Sequence, residues 1–331
     1  MHHSAATMRA MICTGWGEPD RLSLAEVPSP PLRAGSLRVA VAAAAVNFAD
    51  LLMIAGRYQE NPPLPFSPGF EVAGIVREVA PDVAGWRAGD RVMGMLPHGG
   101  YASEAIVPAD QAFRVPPSLD PVAAAGVPVA FGTAYGALVW RARLRPGETL
   151  LVFGAAGGVG LAATALGRLL GARVIAVASG AERLAVAAEH GAEHLIDHRG
   201  EDVAARVRDI TAGRGADVIL DPVGGGAFDS GLRCIASEGR LVVVGFASGE
   251  VGQISAGVAL GRNIDLIGCY WGAYRGADPA RVRGAYEEIA RWIEAGRLRP
   301  HVGARFPLAE AASALAALRQ RRVAGKIVLV M

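Results

Sequence analysis

Between residues 150 and 245, short apolar runs alternate with stretches of helical periodicity. The apolar runs do not alternate polar with apolar positions, which is typical of strands buried on both faces. Strands that alternate with helices of about ten residues indicate crossover units and a parallel sheet. The predicted strands are Leu150–Phe153, Arg173–Ala178, His194–His198, Asp217–Asp221 and Leu241–Val244. The predicted helices are Leu161–Leu170, Ala181–His190, Glu201–Thr211 and Phe228–Ala236.

Glycines follow the first of these strands closely, at positions 154, 157, 158 and 160. Bare backbone N–H groups allow a diphosphate to approach, and the N-terminus of the next helix adds partial positive charge. The pattern G-x-G-x-x-G is incomplete, because Ala155 stands at its first glycine while Gly157 and Gly160 match the second and third. Glycines also follow the fourth and fifth strands, at the edge where open parallel sheets bind ligands. We therefore predict a dinucleotide site, against the alternative of an α/β domain that only packs well.

The N-terminal third has a different pattern. Short valine-rich strands are predicted over Leu37–Val41, Val72–Val79 and Arg91–Met95, broken by glycine and proline. This favours a compact, mostly antiparallel β domain, to which the last apolar run, Gly325–Val330, is predicted to return. A chain of 331 residues exceeds one typical core. We place the first part of the β domain at residues 1–124, a dinucleotide-binding domain at 125–262, and a sixth strand plus the return segment at 263–331.

Composition changes this picture little. With 52% hydrophobic and 19% charged residues the chain is globular, and no apolar run reaches membrane-spanning length. Residues 1–7 lack a signal core and are expected to be a disordered extension, with Met8 a candidate natural start. A net charge of +2 gives no support for a nucleic-acid partner. Three widely spaced cysteines favour a reducing cytoplasm without disulfides.

Nine motifs carry a resemblance that covers the chain from Met8 onward. They are Ala45–Asp50, Gly56–Tyr58, Pro68–Gly74, Gly89–Val92, Gly99–Ala102, Gly132–Tyr135, Gly154–Gly160, Asp221–Gly225 and Gly325–Val328. In order and spacing they resemble the zinc-independent branch of the medium-chain dehydrogenase/reductase superfamily, and most of all the NADPH:quinone oxidoreductases. The resemblance implies an α/β fold: a GroES-like β domain holding both chain ends, a doubly wound Rossmann domain between them, a cleft and a dimer.

The resemblance also bears on metal binding. Zinc-bearing relatives carry cysteine at the position of Asn47 and histidine at that of Phe70, and neither replacement is a zinc ligand. Glu71 and Asp50 remain, but two carboxylates without a softer partner make a poor zinc site. We interpret Glu71 as structural, in an internal salt bridge, and expect no metal.

The choice of dinucleotide follows from the second predicted strand. It ends at Ser179 without the acid that would bond the ribose 2′-hydroxyl of NAD. Arg183 lies where similar quinone reductases carry a cationic phosphate binder, and His198 matches a family tyrosine near that phosphate. An arginine offers a bidentate fork to a 2′-phosphate, so NADPH is expected. The alternative for Arg183 is a solvated helix residue paired with Glu182 or Glu189.

The resemblance assigns the remaining site residues. Asn47, Asp50 and Tyr58 are expected on the substrate side, and Thr133 near the nicotinamide amide. Asn47 or Tyr58 would hydrogen-bond the acceptor's carbonyl oxygen, while Asp50 would orient a neighbour or transfer a proton. The remaining expected dinucleotide contacts are Ala156, Gly157, Gly158, Val159, Gly160, Val223, Gly224, Gly245, Phe246, Ala247, Ser248 and Lys326.

The expected activity is hydride transfer from NADPH to quinones or similar conjugated carbonyls. One alternative is a reductase of enals, enones or enoyl thioesters, and another is an NADPH-regulated RNA-binding or structural protein. The only local basic cluster, Arg319–Arg322, is more simply the end of the last helix. We expect a small-molecule partner, no nucleic acid, no membrane and a cytoplasmic homodimer. The apolar segment Asn263–Trp271 is predicted as an exposed edge strand that pairs with its copy.

Overall fold

The computed structural model describes residues 6–331. They form two compact units that interleave along the chain. Unit 1 runs to Val129 and resumes at Arg275–Glu294 and Pro300–Met331, and unit 2 comprises Ala130–Tyr274 and Ala295–Arg299. Residues 1–5 of the predicted extension lie outside the described part. Thr7 does not belong to a disordered extension, because it pairs with Pro28 in the first strand.

The elements are numbered in chain order. The strands are β1 (Thr7–Cys13), β2 (Leu22–Pro28), β3 (Ser36–Val46), β4 (Glu71–Val79), β5 (Arg91–Met95), β6 (Glu104–Pro108), β7 (Ala112–Arg114), β8 (Thr149–Val152), β9 (Arg173–Ala178), β10 (His194–Asp197), β11 (Ala216–Asp221), β12 (Ile235–Val243), β13 (Asp265–Gly268), β14 (Val302–Pro307) and β15 (Lys326–Val330). The helices are α1 (Phe48–Ile54), α2 (Pro121–Ala125), α3 (Pro128–Tyr135), α4 (Gly158–Leu169), α5 (Ala181–Glu189), α6 (Val203–Ile210), α7 (Gly226–Cys234), α8 (Ala256–Arg262), α9 (Trp271–Ala277), α10 (Pro279–Glu294) and α11 (Ala311–Arg319).

Unit 1 is built on a seven-stranded sheet in the order β14-β15-β3-β4-β5-β7, with β6 also paired to β3. β3 is longer than predicted because it pairs along its length with β4, β6 and β15. Apolar side chains from these strands, with α1 and α11, form the core of the unit. β15 lies between β14 and β3 and is antiparallel to β3, which brings the last strand of the chain into this sheet.

Unit 2 contains six parallel strands in the order β10-β9-β8-β11-β12-β13. This is the doubly wound order of dinucleotide-binding sheets. All four residues of β8 are buried, as are five of the six residues of β9, so an unbroken apolar run did mark a central strand. The predicted fold class, a GroES-like β domain plus a Rossmann-type parallel sheet, is confirmed.

Besides β3, several predicted elements differ in their bounds from those observed, among them β12, which begins at Ile235 and not at Leu241. The first helix after the glycines begins at Gly158 instead of Leu161, because the glycines themselves form its first turn. The sixth strand covers only Asp265–Gly268 of the predicted segment, since Asn263 takes a left-handed conformation that ends α8 and Trp271 begins α9. No helix in the described part of the chain is long and apolar enough to cross a membrane. All three cysteines are buried and free.

Candidate functional site

Three strand ends meet at one edge of the unit 1 sheet. β3 ends at Val46, and Asn47 follows it as the N-cap of α1. β4 begins at Glu71 on one side of β3, and β15 begins at Lys326 on the other. Both neighbours run antiparallel to β3, so their first residues lie beside its last ones. We call Asn47, Asp50, Glu71, Tyr101 and Lys326 the buried cluster.

Lys326 is held by three acceptors. Its Nζ donates to Glu71 Oε1 at 2.7 Å, to Asn47 Oδ1 at 2.8 Å and to the Val46 carbonyl at 3.2 Å. An ammonium has three N–H donors, and this set uses them all. Glu71 is fully buried and Lys326 is 7% exposed, so the internal salt bridge expected for Glu71 is confirmed. The dinucleotide contact expected for Lys326 stays a prediction, and the three donors of its ammonium all end on acceptors within unit 1.

The side-chain amide of Asn47 is also fully bonded. Nδ2 donates to Glu71 Oε1 at 2.9 Å and to the Ala45 carbonyl at 3.3 Å, while Oδ1 accepts from Lys326. A flipped amide would turn its oxygen to the carboxylate and its N–H to the ammonium, so the two charges fix its orientation. In this arrangement Asn47 has no N–H left for a substrate carbonyl, contrary to one of its two expected roles.

Asp50 lies in the first turn of α1 and is completely buried. Its carboxylate accepts the Asn47 N–H at 2.7 Å, the Tyr101 hydroxyl at 2.8 Å and the Gly69 N–H at 3.1 Å. Burial raises the pKa of Asp50 to about 7, against the opposing effect of these hydrogen bonds. Of the two roles predicted for Asp50, its geometry supports the orientation of neighbours, since it fixes the backbone at Asn47 and Gly69.

Tyr58 lies in the loop after α1 and is partly buried. Its ring packs on Phe70, with 5.1 Å between ring centroids, and its carbonyl accepts from Asn61 Nδ2 at 2.9 Å. Both contacts hold the tyrosine at a defined place in unit 1. Thr133 belongs to α3 in unit 2 and is 7% exposed.

In unit 2, a glycine turn joins β8 to α4. Gly154 has a φ of +58° and its carbonyl accepts the Gly157 N–H at 2.9 Å. A Cβ at Gly160 would lie 2.2 Å from the Gly154 carbonyl oxygen, so only glycine fits there. No side chain within residues 6–331 caps α4, which leaves a helix N-terminus suited to a diphosphate. The predicted contacts at this turn are Ala156 and Gly160, which are buried, and Gly157, Gly158 and Val159, which are partly exposed.

The loops after β11 and β12 are joined by hydrogen bonds. Asp221 Oδ1 accepts the N–H groups of Val223 at 2.8 Å and Gly224 at 2.9 Å, which shapes the turn after β11. Ser248 Oγ donates to the Val223 carbonyl at 2.7 Å and so ties the second loop to the first. This edge of the sheet therefore brings together the predicted contacts Val223, Gly224, Gly245, Phe246, Ala247 and Ser248.

Side chains of both positive and negative charge lie at the ends of β9 and β10. Asp197, the last residue of β10, accepts the Gly180 N–H at 3.0 Å and holds the Arg199 guanidinium. Arg183 lies in the first turn of α5, a helix that begins directly after Gly180. The strand-end cluster consists of Ser179, Gly180, Arg183, Asp197, His198 and Arg199.

Comparison with known proteins agrees with this geometry. Residues 33–117 match the family described as alcohol dehydrogenase GroES-like domain, and residues 158–294 match zinc-binding dehydrogenase. A quinone oxidoreductase-like protein 2 homolog from Nematostella vectensis is 39% identical over 97% of this chain and 88% of its own length. The chain belongs to the quinone oxidoreductase-like branch of the medium-chain dehydrogenases/reductases. It is therefore an oxidoreductase.

Two further similarities broaden this branch. The Escherichia coli quinone oxidoreductase, solved with NADPH, aligns with a TM-score of 0.90 and 28% identity over 98% of this chain and all of its own. A mycocerosic acid synthase-like polyketide synthase from Mycobacterium tuberculosis is 35% identical over 99% of this chain, which corresponds to 16% of its length. The fold of this medium-chain reductase is thus found both as a separate enzyme and within a synthase.

Zinc does not fit the residues of this family member. Asn47 is bonded by Lys326 and Glu71, and Phe70 packs on Tyr58. Within residues 6–331, no three His, Cys, Asp or Glu side chains lie close enough together to hold a metal ion. A side-chain ammonium already balances the carboxylate of Glu71.

Sequence reasoning did not select four residues of these clusters: Tyr101, Gly180, Asp197 and Arg199. Tyr101 stood in a family motif, but its bond to Asp50 spans 51 positions of sequence. Asp197 is the last residue but one of the third predicted strand, whereas the prediction of a ribose-binding acid considered only the second strand. Neighbouring parallel strands end at the same edge of the sheet. An acid at the end of the third strand could therefore have been selected as a candidate ribose ligand.

Proposed function

We propose that this protein is an NADPH-dependent reductase that transfers a hydride to quinones or similar conjugated carbonyl compounds without zinc. The observation that carries the proposal is the glycine turn after β8, where Gly160 leaves no room for a Cβ and an uncapped helix N-terminus follows. Family membership supports the acceptor class, since relatives of similar length are named for quinone reduction.

NADPH is the dinucleotide of this enzyme, as in the Escherichia coli relative solved with it. When bound, it supplies the hydride, and the overall change is quinone plus NADPH plus a proton to quinol plus NADP⁺. The residues proposed to hold it follow from the strand ends. The α4 N-terminus would bind the diphosphate, Ser179, Arg183 and His198 the adenosine ribose phosphate, and Val223 to Gly224 with Gly245 to Ser248 the nicotinamide half.

On the acceptor side, the buried cluster holds the backbone in position, and Tyr58 binds the acceptor. Asn47 has both N–H groups engaged within the protein, so we assign it, with Asp50, to holding the backbone of this edge. Tyr58 carries a hydroxyl that can donate to a carbonyl oxygen as negative charge develops there. We propose Tyr58→Phe as the test: it should lower kcat/KM for a benzoquinone about tenfold, the value of one hydrogen bond, with an unchanged melting temperature.

A second acceptor class is favoured by one observation. The chain matches, over nearly its full length, a segment of a protein that is named for the synthesis of a carboxylic acid and a polyketide. Enals, enones and enoyl thioesters are therefore the alternative acceptors.

NADPH oxidation measured with 1,4-benzoquinone, naphthoquinones, enals and crotonyl-CoA distinguishes the two classes. The highest kcat/KM is expected for a quinone. A higher value for crotonyl-CoA would reassign the enzyme, and turnover with none of them would contradict the reductase function.

We also propose that the enzyme is a cytoplasmic homodimer. β13 is the edge strand of its sheet, and Leu266 on it is 49% exposed. An unpaired apolar edge promotes association, and pairing with the same strand of a second copy would close it. Proline at Leu266 and at Ile267 should be compared, since at least one removes an N–H from such a pairing. A wild-type monomer by light scattering at micromolar concentration would contradict the dimer.

A further inference from the structure

The neighbouring strand supplies an acid to the end of β9. Asp197 is aligned with Ala178 in the parallel pairing of β10 with β9. Its Oδ2 accepts the N–H of Gly180, two residues after that alanine, at 3.0 Å. In sheets of this order, an acid at the end of the second strand bonds the ribose hydroxyls of NAD. A carboxylate therefore lies where NADH would be recognised, although no acid follows β9 in the sequence.

Arg199 covers this carboxylate. Its Nε donates to Asp197 Oδ1 at 3.1 Å and its Nη2 to Oδ2 at 2.8 Å, so both carboxylate oxygens are engaged. The same Nη2 would lie 3.0 Å from a Cβ built on Gly180. The guanidinium thus lies directly over the backbone at the end of β9, in the path of a ribose that approaches Asp197.

The arginine keeps donors for a ligand. Two of its five side-chain N–H groups bond Asp197, and no other side-chain bond of Arg199 occurs within the described residues. The side chain is 62% exposed. An arginine with N–H groups left over suits a phosphate monoester better than a neutral hydroxyl.

The charges around the pair leave an excess of positive charge. Arg199 holds the pKa of Asp197 well below its usual range, so the carboxylate is ionised at neutral pH. Glu201 is the other acid nearby: one of its oxygens accepts the Asp197 N–H, and the other pairs with Arg206 at 2.8 Å. Arg183 and Arg199 are thus the cations of the strand-end cluster, and Asp197 is its one acid.

We propose that Arg199 and Asp197 together select the dinucleotide: Arg199 binds the 2′-phosphate of NADPH and at the same time masks a carboxylate suited to NADH. The inference rests on the dinucleotide site of the proposed function and adds a residue pair to it. Its distinctive consequence is that loss of Arg199 changes the preference between cofactors and does not only weaken one of them.

The test is calorimetric titration of the full-length protein with 2′,5′-ADP and with ADP, repeated with NADPH and NADH. Arg199→Ala should weaken 2′,5′-ADP about tenfold, the lower end for a charged hydrogen bond at an exposed site, and should tighten ADP several-fold. The double variant Arg199→Ala/Asp197→Asn should keep the first effect and lose the second, because the uncovered carboxylate is gone.

Two single variants are the controls. Arg183→Ala removes a cation without uncovering an acid, so it should weaken 2′,5′-ADP and leave ADP unchanged. Arg173→Ala removes the same charge at the opposite end of β9 and should change neither. Melting temperatures of all variants show whether each is folded, and Arg199→Lys, which keeps the charge but not the fork, should lie between wild type and Arg199→Ala.

The outcomes separate the inference from the function. Wild-type protein that binds neither nucleotide would contradict the dinucleotide site itself. If the wild type binds and Arg199→Ala changes the affinities for both nucleotides equally, or changes neither, the reductase function stays intact. The proposal that Arg199 and Asp197 select the dinucleotide would then be overturned. If the double variant keeps the gain in ADP affinity, Asp197 is not the source of that gain, and its role in the proposal is overturned.

Discussion

Lys326 in the buried cluster and Arg199 in the strand-end cluster each bond a carboxylate, but they differ in the number of N–H donors that remain for a ligand. Lys326 is 7% exposed, and all three of its donors end on protein acceptors. Arg199 is 62% exposed as a side chain and uses two donors on Asp197. A cation whose donors are exhausted can only hold its neighbours in place. A cation with donors remaining at a strand end can bind an anionic ligand.

Burial also sets the energetic weight of each pair. Breaking a buried pair leaves an uncompensated charge in a medium that cannot solvate it, whereas a surface pair contributes little because water replaces it. The buried cluster should therefore govern stability, and the strand-end cluster should govern affinity.

The largest expected effect is on stability, from Lys326→Met. It leaves the fully buried Glu71 without its cation, so the free energy of unfolding should fall by about 3–5 kcal/mol. Urea denaturation measures it. The double variant Glu71→Gln/Lys326→Met should recover part of the loss.

The matched control for Lys326→Met is Arg206→Met, which breaks a 2.8 Å pair with Glu201 whose side chains are 44% and 34% exposed. It should cost less than about 1 kcal/mol. Equal losses in the two variants would contradict the distinction between buried and surface ion pairs.

The second effect is a pH dependence from Asp50. Its pKa of about 7 in the folded protein exceeds the ordinary 3.8, so between these values the folded state keeps a proton that the unfolded chain has released. Its contribution to the free energy of unfolding therefore falls as the pH rises through this window, by about 1.4 kcal/mol for each pH unit within it.

Asp50→Asn removes this titration. The free energy of unfolding of the wild type minus that of Asp50→Asn, from urea denaturation at pH 4.5 to 8, should decline with pH and level off above about 7. The surface variant Asp110→Asn is the control and should differ little from wild type throughout. A difference between wild type and Asp50→Asn that stays constant across the range would refute the assignment.

The third expected effect is a loss of both stability and NADPH affinity from a change at the glycine turn. Gly160→Ala would place a Cβ 2.2 Å from the Gly154 carbonyl oxygen, and such overpacking costs about 1–3 kcal/mol. NADPH affinity should fall as well, because the α4 N-terminus must move. Gly284→Ala, on α10 with no atom within 4 Å of the added methyl, should leave both quantities unchanged or improve stability slightly.

The smallest expected effect is that of metal removal, which should change nothing. Extended dialysis against EDTA should leave turnover and melting temperature as they were, because an ammonium already pairs with Glu71. Elemental analysis that finds about one zinc per chain would contradict the zinc-independent assignment.

Local pattern predicted the parallel sheet well. The bounds of β9 agree with its predicted range residue by residue, because five of its six residues are buried in the sheet. The sixth strand was predicted too long, since apolar character alone does not separate a strand from the helix start at Trp271.

The clusters were harder to predict because sheet pairing brings distant residues together. Lys326 meets Asn47 across 279 positions of sequence, through the pairing of β15 with β3. Motif resemblance selected both residues but not their mutual bond, and that bond changes the expected role of each. Arg199 was missed because its carboxylate partner follows a different strand from the one that motif reasoning considers.

One consequence of the buried cluster concerns the chemical reactivity of the surface. Lys326 is the only lysine in the chain, and its side chain is enclosed, so the folded protein shields its one lysine amine from acylating reagents. Acylation of Lys326 requires β15 to separate from β3. The rate at which Lys326 is acylated, followed by mass spectrometry of its peptide, therefore reports how often the final strand opens while the rest of the protein stays folded.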